Sequence, residues 1–292
     1  MTPRCKICGG EEHVVHYHGP VRAGRYGCVT AESRTVWRCV GCGAAHLPVA
    51  SVEYESSEYR RLVDGSDRAD DFHRLHDPEQ PEKLRALGTA DLRDTVLVDV
   101  GCGAGSFLDL VKGYCRTTIG IEPTPTLRAA AEKKGHRTFP YCADVPDAWV
   151  GCADVAVAFS LVEHVEDPLE LLRDIRRLLK PGGRLLMSTP NRRDWLLEIL
   201  PTEYAAFFYR IVHLWYFEAE SVGWLLRTAG FSDVAISYHH RFDLSNAILW
   251  LRDKRPTGVG ALPVPDGASE VFRGLLEANG RADYLYGFGV KS

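Results

Sequence analysis

Two sets of residues in this sequence have the types and spacing that chemistry requires: paired cysteines, and acids set against glycines. Cys5-Lys-Ile-Cys8-Gly9 and Cys39-Val-Gly-Cys42-Gly43 each place two thiols on one tight turn. The glycine there permits the positive-φ bend that points both sulfurs at one ion. Four thiolates close a tetrahedral zinc site and leave no open position, so the metal expected on Cys5, Cys8, Cys39 and Cys42 is structural. His13, His16, His18 and His46 lie near these cysteines and are not needed as ligands. Cys115, Cys142 and Cys152 are scattered and read as small buried side chains.

The second set is Asp99-Val-Gly-Cys-Gly-Ala-Gly105, which follows the apolar run Thr95-Val-Leu-Val-Asp-Val100 and precedes a helix beginning at Ser106. An uninterrupted apolar run suits a strand buried on both faces of a parallel sheet. Gly101, Gly103 and Gly105, with Cys102 between them, then let the backbone approach a ligand at the carboxyl edge of that sheet. The next strand, Arg116-Thr-Thr-Ile-Gly-Ile-Glu122, ends in an acid placed to accept two ribose hydroxyls. A nicotinamide dinucleotide would use the same geometry with Gly-x-Gly-x-x-Gly, and here the third glycine comes one residue early.

That spacing, with Asp99 just ahead of Gly101, resembles motif I of class I S-adenosylmethionine (SAM) dependent methyltransferases. The resemblance continues in order along the chain. Glu122, with Pro123 after it, matches the ribose-binding acid, and Cys142-Ala-Asp144 matches the stretch whose acid reaches the adenine amine, with Val145 beside it. Ala153 to Ser160 matches the fourth strand, Leu161 to Pro168 the segment after it, and Leu179-Lys-Pro-Gly-Gly-Arg-Leu-Leu-Met187 the turn into the fifth. The resemblance implies an α/β, Rossmann-like seven-stranded sheet, closed by an antiparallel pair formed from Phe231–Ser237 and Tyr284–Val290. It also implies SAM as cofactor, held by Asp99, Gly101, Cys102, Gly103, Gly105, Glu122, Pro123, Asp144, Val145 and Ser160.

Methyl transfer to a hydroxyl needs alignment and a group to take the proton. Candidate groups past the carboxyl ends of strands four and five are Glu163, His164 and His213, with His213 the first choice of base. Glu163-His164 is similar to the Glu-His pair of the ubiquinone-biosynthesis O-methyltransferases, in which an acid one helical turn earlier helps bind a metal. Ser160 stands at that earlier position here. From Asn191 to Phe217 the chain carries Trp195, Tyr204, Phe207, Phe208, Tyr209, Trp215, Tyr216 and Phe217. Such a segment suits a lid whose faces stack on a sugar or an aromatic acceptor. It equally suits a helix packed on the zinc module or on a homodimer partner. The acceptor contacts expected of the lid are Asn191, Tyr204, Phe208, Trp215 and Tyr216, joined by Tyr54 and Tyr59 from the connector.

These residues need elements to hold them. With 292 residues, 45% of them hydrophobic, the chain can bury an α/β core and a small module. The boundaries expected are a zinc ribbon over 1–50, a helical connector over 51–90 and the methyltransferase domain over 91–292, with 191–217 as its lid. Val14–Tyr17 and Arg34–Arg38 are β-prone and predict a hairpin between the cysteine pairs. Lys+Arg 35 against Asp+Glu 39 gives a formal charge of -4, which argues against a nucleic-acid backbone as partner. No apolar run is long enough for a membrane span and no export signal is evident, so a cytoplasmic location is expected.

A zinc ribbon leading into this core resembles bacterial methyltransferases of deoxysugars and other natural products, among them antibiotics. The deoxysugar C-methyltransferases usually carry a further domain after the sheet. This chain has none after Val290, so O-methylation of a sugar-bearing or polyhydroxylated metabolite is the expectation. The alternatives are deoxysugar C- or N-methylation, ribosomal RNA base methylation, and a SAM-binding scaffold without activity.

Overall fold

A computed structural model describes residues 4–24, 27–48, 61, 66, 68–256, 262–265 and 267–292. The expected acceptor contacts Tyr54 and Tyr59, and most of the connector up to residue 67, lie outside the described residues. The chain forms two compact units, one within Met1–Ser51, Thr189–Trp224 and Ile236–Tyr286, the other within Val52–Ser188, Leu225–Ala235 and Gly287–Ser292.

In the first unit β1 (His13–Gly19) and β2 (Arg34–Cys39) pair as the antiparallel hairpin that their β-prone residues predict. A bulge between Val15 and Tyr17 resets the register. β3 (Ala45–His46) adds to β2, and β9 (Trp215–Tyr216), from far along the chain, adds to β3. The sheet of the zinc module is therefore completed by a strand of the aromatic segment, a long-range pairing that local pattern does not signal.

The second unit is built on strands that read as apolar because both faces are covered. Within the seven-stranded sheet, whose order is β10-β11-β8-β7-β4-β5-β6, β4 (Val96–Val100) is wholly buried and pairs in parallel with β5 (Thr117–Ile121) on one side and β7 (Ala153–Phe159) on the other. β6 (Arg137–Phe139) continues outward from β5, and β8 (Leu179–Pro190) from β7. β10 (Phe231–His239) and β11 (Tyr284–Lys291) are neighbours at the far edge, as expected of the closing pair.

Because the chain leaves β4 toward β5 and β6 and returns to β7 on its other side, the loop after β4 sits where the strand order reverses. In open parallel sheets that crevice is where ligands bind.

Helices α1 (Ala69–His76) and α2 (Gln80–Leu87) come before β4, α3 (Ser106–Val111) follows it and α4 (Pro125–Lys133) follows β5. The helix after β7, α5 (Pro168–Leu178), shows why such segments fold as they do. Pro168 opens it, the Asp167 carboxylate accepts the Leu169 and Glu170 N–H groups, and Leu169, Leu172, Ile175 and Leu178 form its buried stripe. The short helices α6 (Trp195–Ile199) and α7 (Glu203–Phe208) precede β9. α8 (Ala219–Thr228) leads into β10, and α9 (Leu244–Asp253) and α10 (Ala268–Ala278) lie between the closing strands.

Candidate functional site

The glycine loop turns directly off the carboxyl end of β4. Gly101 and Cys102 both donate their N–H groups to the Ile121 carbonyl of β5, at 2.8 and 3.1 Å, which ties the loop to the neighbouring strand. Gly101, Gly103 and Gly105 have φ of 82°, 55° and 88°, a region open to glycine at little cost. At Gly103 there is a steric reason as well, since the Phe72 ring of α1 lies where a side chain would go. Sequence reading did not single out Phe72, because its role depends on a helix whose position local pattern does not reveal.

Glu122, at the end of β5, is 3% exposed. One carboxylate oxygen accepts the Gly103 N–H at 3.0 Å and the other accepts the Thr124 N–H at 2.8 Å. The Arg128 guanidinium donates to the Glu122 and Pro123 carbonyls, bracing the same turn. Each carboxylate oxygen keeps a lone pair for a further donor such as a ribose hydroxyl. Asp99 is also buried, and burial pushes its carboxyl up to about 7, with Lys83 opposing the shift and Glu122 adding to it. Lys83 belongs to α2 and lies 5.4 Å over the Phe159 ring. On the same helix Gln80 is 5% exposed, and its side-chain oxygen has no hydrogen-bond partner. Neither residue was among those expected from sequence.

The remaining cofactor candidates divide. Cys102 is buried, desolvation pushes its thiol far up, and its N–H is held by the Ile121 carbonyl. Val145 is buried while Asp144 is exposed, and the Asp144 carboxylate accepts the Tyr141 N–H at 3.1 Å within its own turn. Ser160, just past β7, has φ of 51° and donates its N–H to the Ser188 carbonyl. A non-glycine residue held in the left-handed region costs about 1–3 kcal/mol, and such strain collects at functional sites. Beyond it Glu163 is 1% exposed and His164 is half-buried.

In the first unit the two knuckles are built alike. Gly9 N–H donates to Cys5 O and Gly43 N–H to Cys39 O, with φ of 73° and 76° at the two glycines. The four sulfurs of Cys5, Cys8, Cys39 and Cys42 lie within 4.8 Å of one another. Cys5–Cys42 and Cys8–Cys39 are 3.6 and 3.5 Å apart. A tetrahedral ion with ~2.3 Å bonds to sulfur separates its ligands by about 3.8 Å, so the four residues fit zinc. Hydrogen bonding from Cys42 holds the Cys5 thiol down to about 5.

The aromatic segment, expected as the acceptor lid, packs into the core of the first unit. Tyr204, Phe208, Tyr209 and Tyr216 pack with Leu196, Leu200 and Trp250 onto Val21, Val36, Ala45 and Leu47 of the N-terminal module. Tyr204 donates its hydroxyl to Asp194, Tyr216 bonds both the N–H and the carbonyl of Arg210, and Trp215 stacks on Phe217. Asn191 is fully buried, donating its amide to the Gly280 and Ala282 carbonyls and accepting the Arg193 N–H. Asn191, Tyr204, Phe208, Trp215 and Tyr216, the residues expected to contact the acceptor, are thus all buried within the first unit. His213 is 6% exposed, with its ring 6.0 Å from that of Tyr216.

Residues 70–236 match the family described as "Methyltransferase domain". Among curated proteins, the chain is 33% identical over 117 residues to the ubiquinone biosynthesis O-methyltransferase of Sodalis glossinidius, covering 37% of this chain and 47% of that protein. It is 31% identical over 166 residues to the enzyme of the same name from Neisseria meningitidis serogroup C, covering 52% and 69%. The chain thus spans between about half and two thirds of the length of these relatives. Among solved structures, a SAM-dependent methyltransferase from Archaeoglobus fulgidus superposes with a TM-score of 0.51 at 18% identity, covering 76% of this chain and 97% of that one. One from Thermotoga maritima, a possible histamine N-methyltransferase, gives 0.50 at 21% identity, covering 75% and 91%. At these identities the structural likeness is one of fold.

Proposed function

The chain belongs to the methyltransferase-domain family and has the fold of SAM-dependent methyltransferases, and from that premise we propose that it methylates a hydroxyl of a small sugar-bearing or polyhydroxylated metabolite. The observation that carries the cofactor half is Glu122, buried at the strand-order reversal with its carboxylate across the Gly103 and Thr124 N–H groups. The hydroxyl half draws support from curated relatives named as O-methyltransferases.

SAM supplies an activated methyl group, so the protein's work is positioning and proton handling. Glu122 would accept the ribose hydroxyls, and Asp144 would accept the adenine amine. Asp99 would orient the loop's backbone amides toward the methionine end of the cofactor, and Lys83, whose charge acts on Asp99, would face the methionine carboxylate. Gly101, Gly103 and Gly105 let the loop close around the nucleoside, with Cys102, Pro123, Val145 and Ser160 forming its walls. Of the three candidate bases Glu163, His164 and His213, His213 is the first choice to remove the acceptor proton. The zinc on Cys5, Cys8, Cys39 and Cys42 is structural, and the reaction takes place in the cytoplasm, in natural-product biosynthesis.

The test is transfer of labelled methyl from SAM into a panel of glycosides, sugar nucleotides, phenols and ribosomal RNA. Label in hydroxyl ethers of small molecules is expected, and label in RNA alone overturns the reading. With an acceptor in hand, His213→Ala should lower kcat by roughly a hundredfold or more, the loss expected for a general base. Unchanged turnover removes His213 from the mechanism.

A further inference from the structure

Helix α1 meets the glycine loop at two points. The Phe72 ring lies where a side chain on Gly103 would go, and the next residue, His73, places Nδ1 3.0 Å from the hydroxyl of Ser106, the first residue of α3. On the other edge of the His73 ring, Nε2 lies 2.8 Å from the ammonium of Lys134, just past the end of α4. An ammonium has only donors, so Nε2 accepts, the ring proton sits on Nδ1, and Nδ1 donates to Ser106. Ser106 is itself buried and directly follows Gly105. No residue of α1 is buried, so apolar packing gives the helix little hold and these contacts decide where it lies.

The surroundings hold Lys134 in that role. Its ammonium also donates to the Asp109 carboxylate of α3, which accepts from Lys112 at 3.2 Å and from His136 Nε2 at 3.1 Å. Burial would raise Asp109, but the bonds from Lys134, His136 and Lys112 outweigh it and hold the carboxyl below its usual range. The Thr118 hydroxyl of β5 lies 2.8 Å from His136 Nδ1, and burial holds that imidazole below the usual histidine range, with Asp109 opposing. Along α1, Arg74 pairs with Asp71 and Asp70 with Arg68, while the exposed Asp77 carboxylate, just beyond the helix, is 3.4 Å from His73 Nδ1. A second proton on His73 removes the acceptor that Lys134 uses and sets an imidazolium against the ammonium, with Asp77 as its alternative partner at the surface.

We propose that His73 is a positioning residue for cofactor binding: neutral, it fastens α1 between Ser106 and Lys134 and keeps Phe72 seated against Gly103, and a second proton on its ring unfastens the helix and weakens binding. His73 touches no cofactor atom in this role and acts through Ser106 and Phe72 on the loop between them. The assignment of the ligand as SAM rests on the methyltransferase reading above; the fastening of α1 does not.

The experiment is calorimetric titration of the zinc-loaded full chain with S-adenosylhomocysteine at about pH 8 and about pH 5.5, on either side of the histidine range, alongside hydrogen exchange of the α1 amides without ligand. Affinity of the parent chain is expected to fall roughly tenfold or more on acidification, the effect of losing one hydrogen bond to a charged group. His73→Asn keeps a donor toward Ser106 and takes up no second proton, so its affinity ratio between the two pH values should be smaller by about that factor. Asp99, raised to about 7 by burial, is common to both proteins and cancels in the comparison. Lys134→Gln, outside α1 and still able to donate to Nε2, should likewise reduce the acid loss. Equal affinity ratios in the parent and His73→Asn overturn the proposal, as does α1 exchange in the parent that, corrected for its intrinsic rate, does not loosen with acid. If the parent binds no S-adenosylhomocysteine at either pH, the cofactor reading fails, and α1 exchange that loosens with acid in the parent but not in His73→Asn leaves the fastening itself standing.

Discussion

At Glu122 one carboxylate organises two backbone N–H groups, and in the proposed function it also takes the cofactor ribose, so its charge would be used twice. Glu122→Gln keeps the shape but loses the charge and replaces one acceptor oxygen with a donor. Charge-assisted hydrogen bonds are worth about 1.5–3 kcal/mol, so calorimetry should show affinity for S-adenosylhomocysteine falling by roughly 10- to 100-fold. A second residue has a consequence for pH. Asp194 is fully buried, accepting the Tyr204 hydroxyl and the Leu196 N–H, and burial, then Asp283, pushes its carboxyl up to about 7. The fold therefore favours protonated Asp194, with the stability this contributes complete below the unfolded value near 4 and lost as pH rises through about 7. Asp99, also raised to about 7, adds loss in the same window. Melting temperature should fall between about pH 4 and pH 7, and Asp194→Asn should remove part of that slope. An unaltered slope would show that Asp194 does not titrate there. The types of Glu122 and Asp99 were legible because spacing places them at strand ends. The burial of Asp194 was not, because its partners Tyr204 and Asp283 come from other segments.

Helix α1 shows how much an element's placement matters. Gly103 reads from sequence as a residue that lets a ligand approach, and it is also the floor on which Phe72 rests. Gly103→Ala must displace that ring and hold a side chain at φ 55°. The change should cost about 1–3 kcal/mol. S-adenosylhomocysteine binding should weaken strongly, whereas Phe72→Ala should restore part of it in the double variant. Simple additivity of the two effects would deny the contact. The elements were mostly readable in advance: the hairpin β1–β2 and the buried strand β4 follow from β-prone and apolar pattern, while β7 and the closing strands β10 and β11 were implied by the methyltransferase resemblance. The aromatic segment was not, since 191–217 carries the same side chains whether it forms a lid or a core. Its role turned on Val21, Val36, Ala45 and Leu47 lying beneath it.

Across the whole molecule, each unit gathers segments distant in sequence. In the first, β9 extends the sheet of the cysteine knuckles through β3, so a metal held on those knuckles would be linked to the order of residues near Trp215. Stripping zinc with a chelator should free the knuckles and β9 together. Metal release followed by absorbance and tryptophan fluorescence would then show one transition, and unchanged fluorescence after metal loss would refute the link. The sequence by itself determined the two chemistries, because four cysteines in knuckle spacing and an acid before a glycine loop depend on a few neighbouring residues whose backbone geometry is local. Only the tertiary structure decided the packing of the aromatics onto Val21, Val36, Ala45 and Leu47 and the place of Phe72 at the glycine loop. Those depend on which distant surfaces are buried together, and hydrophobic burial is non-directional, so the same residue types suit several partners until the chain has packed.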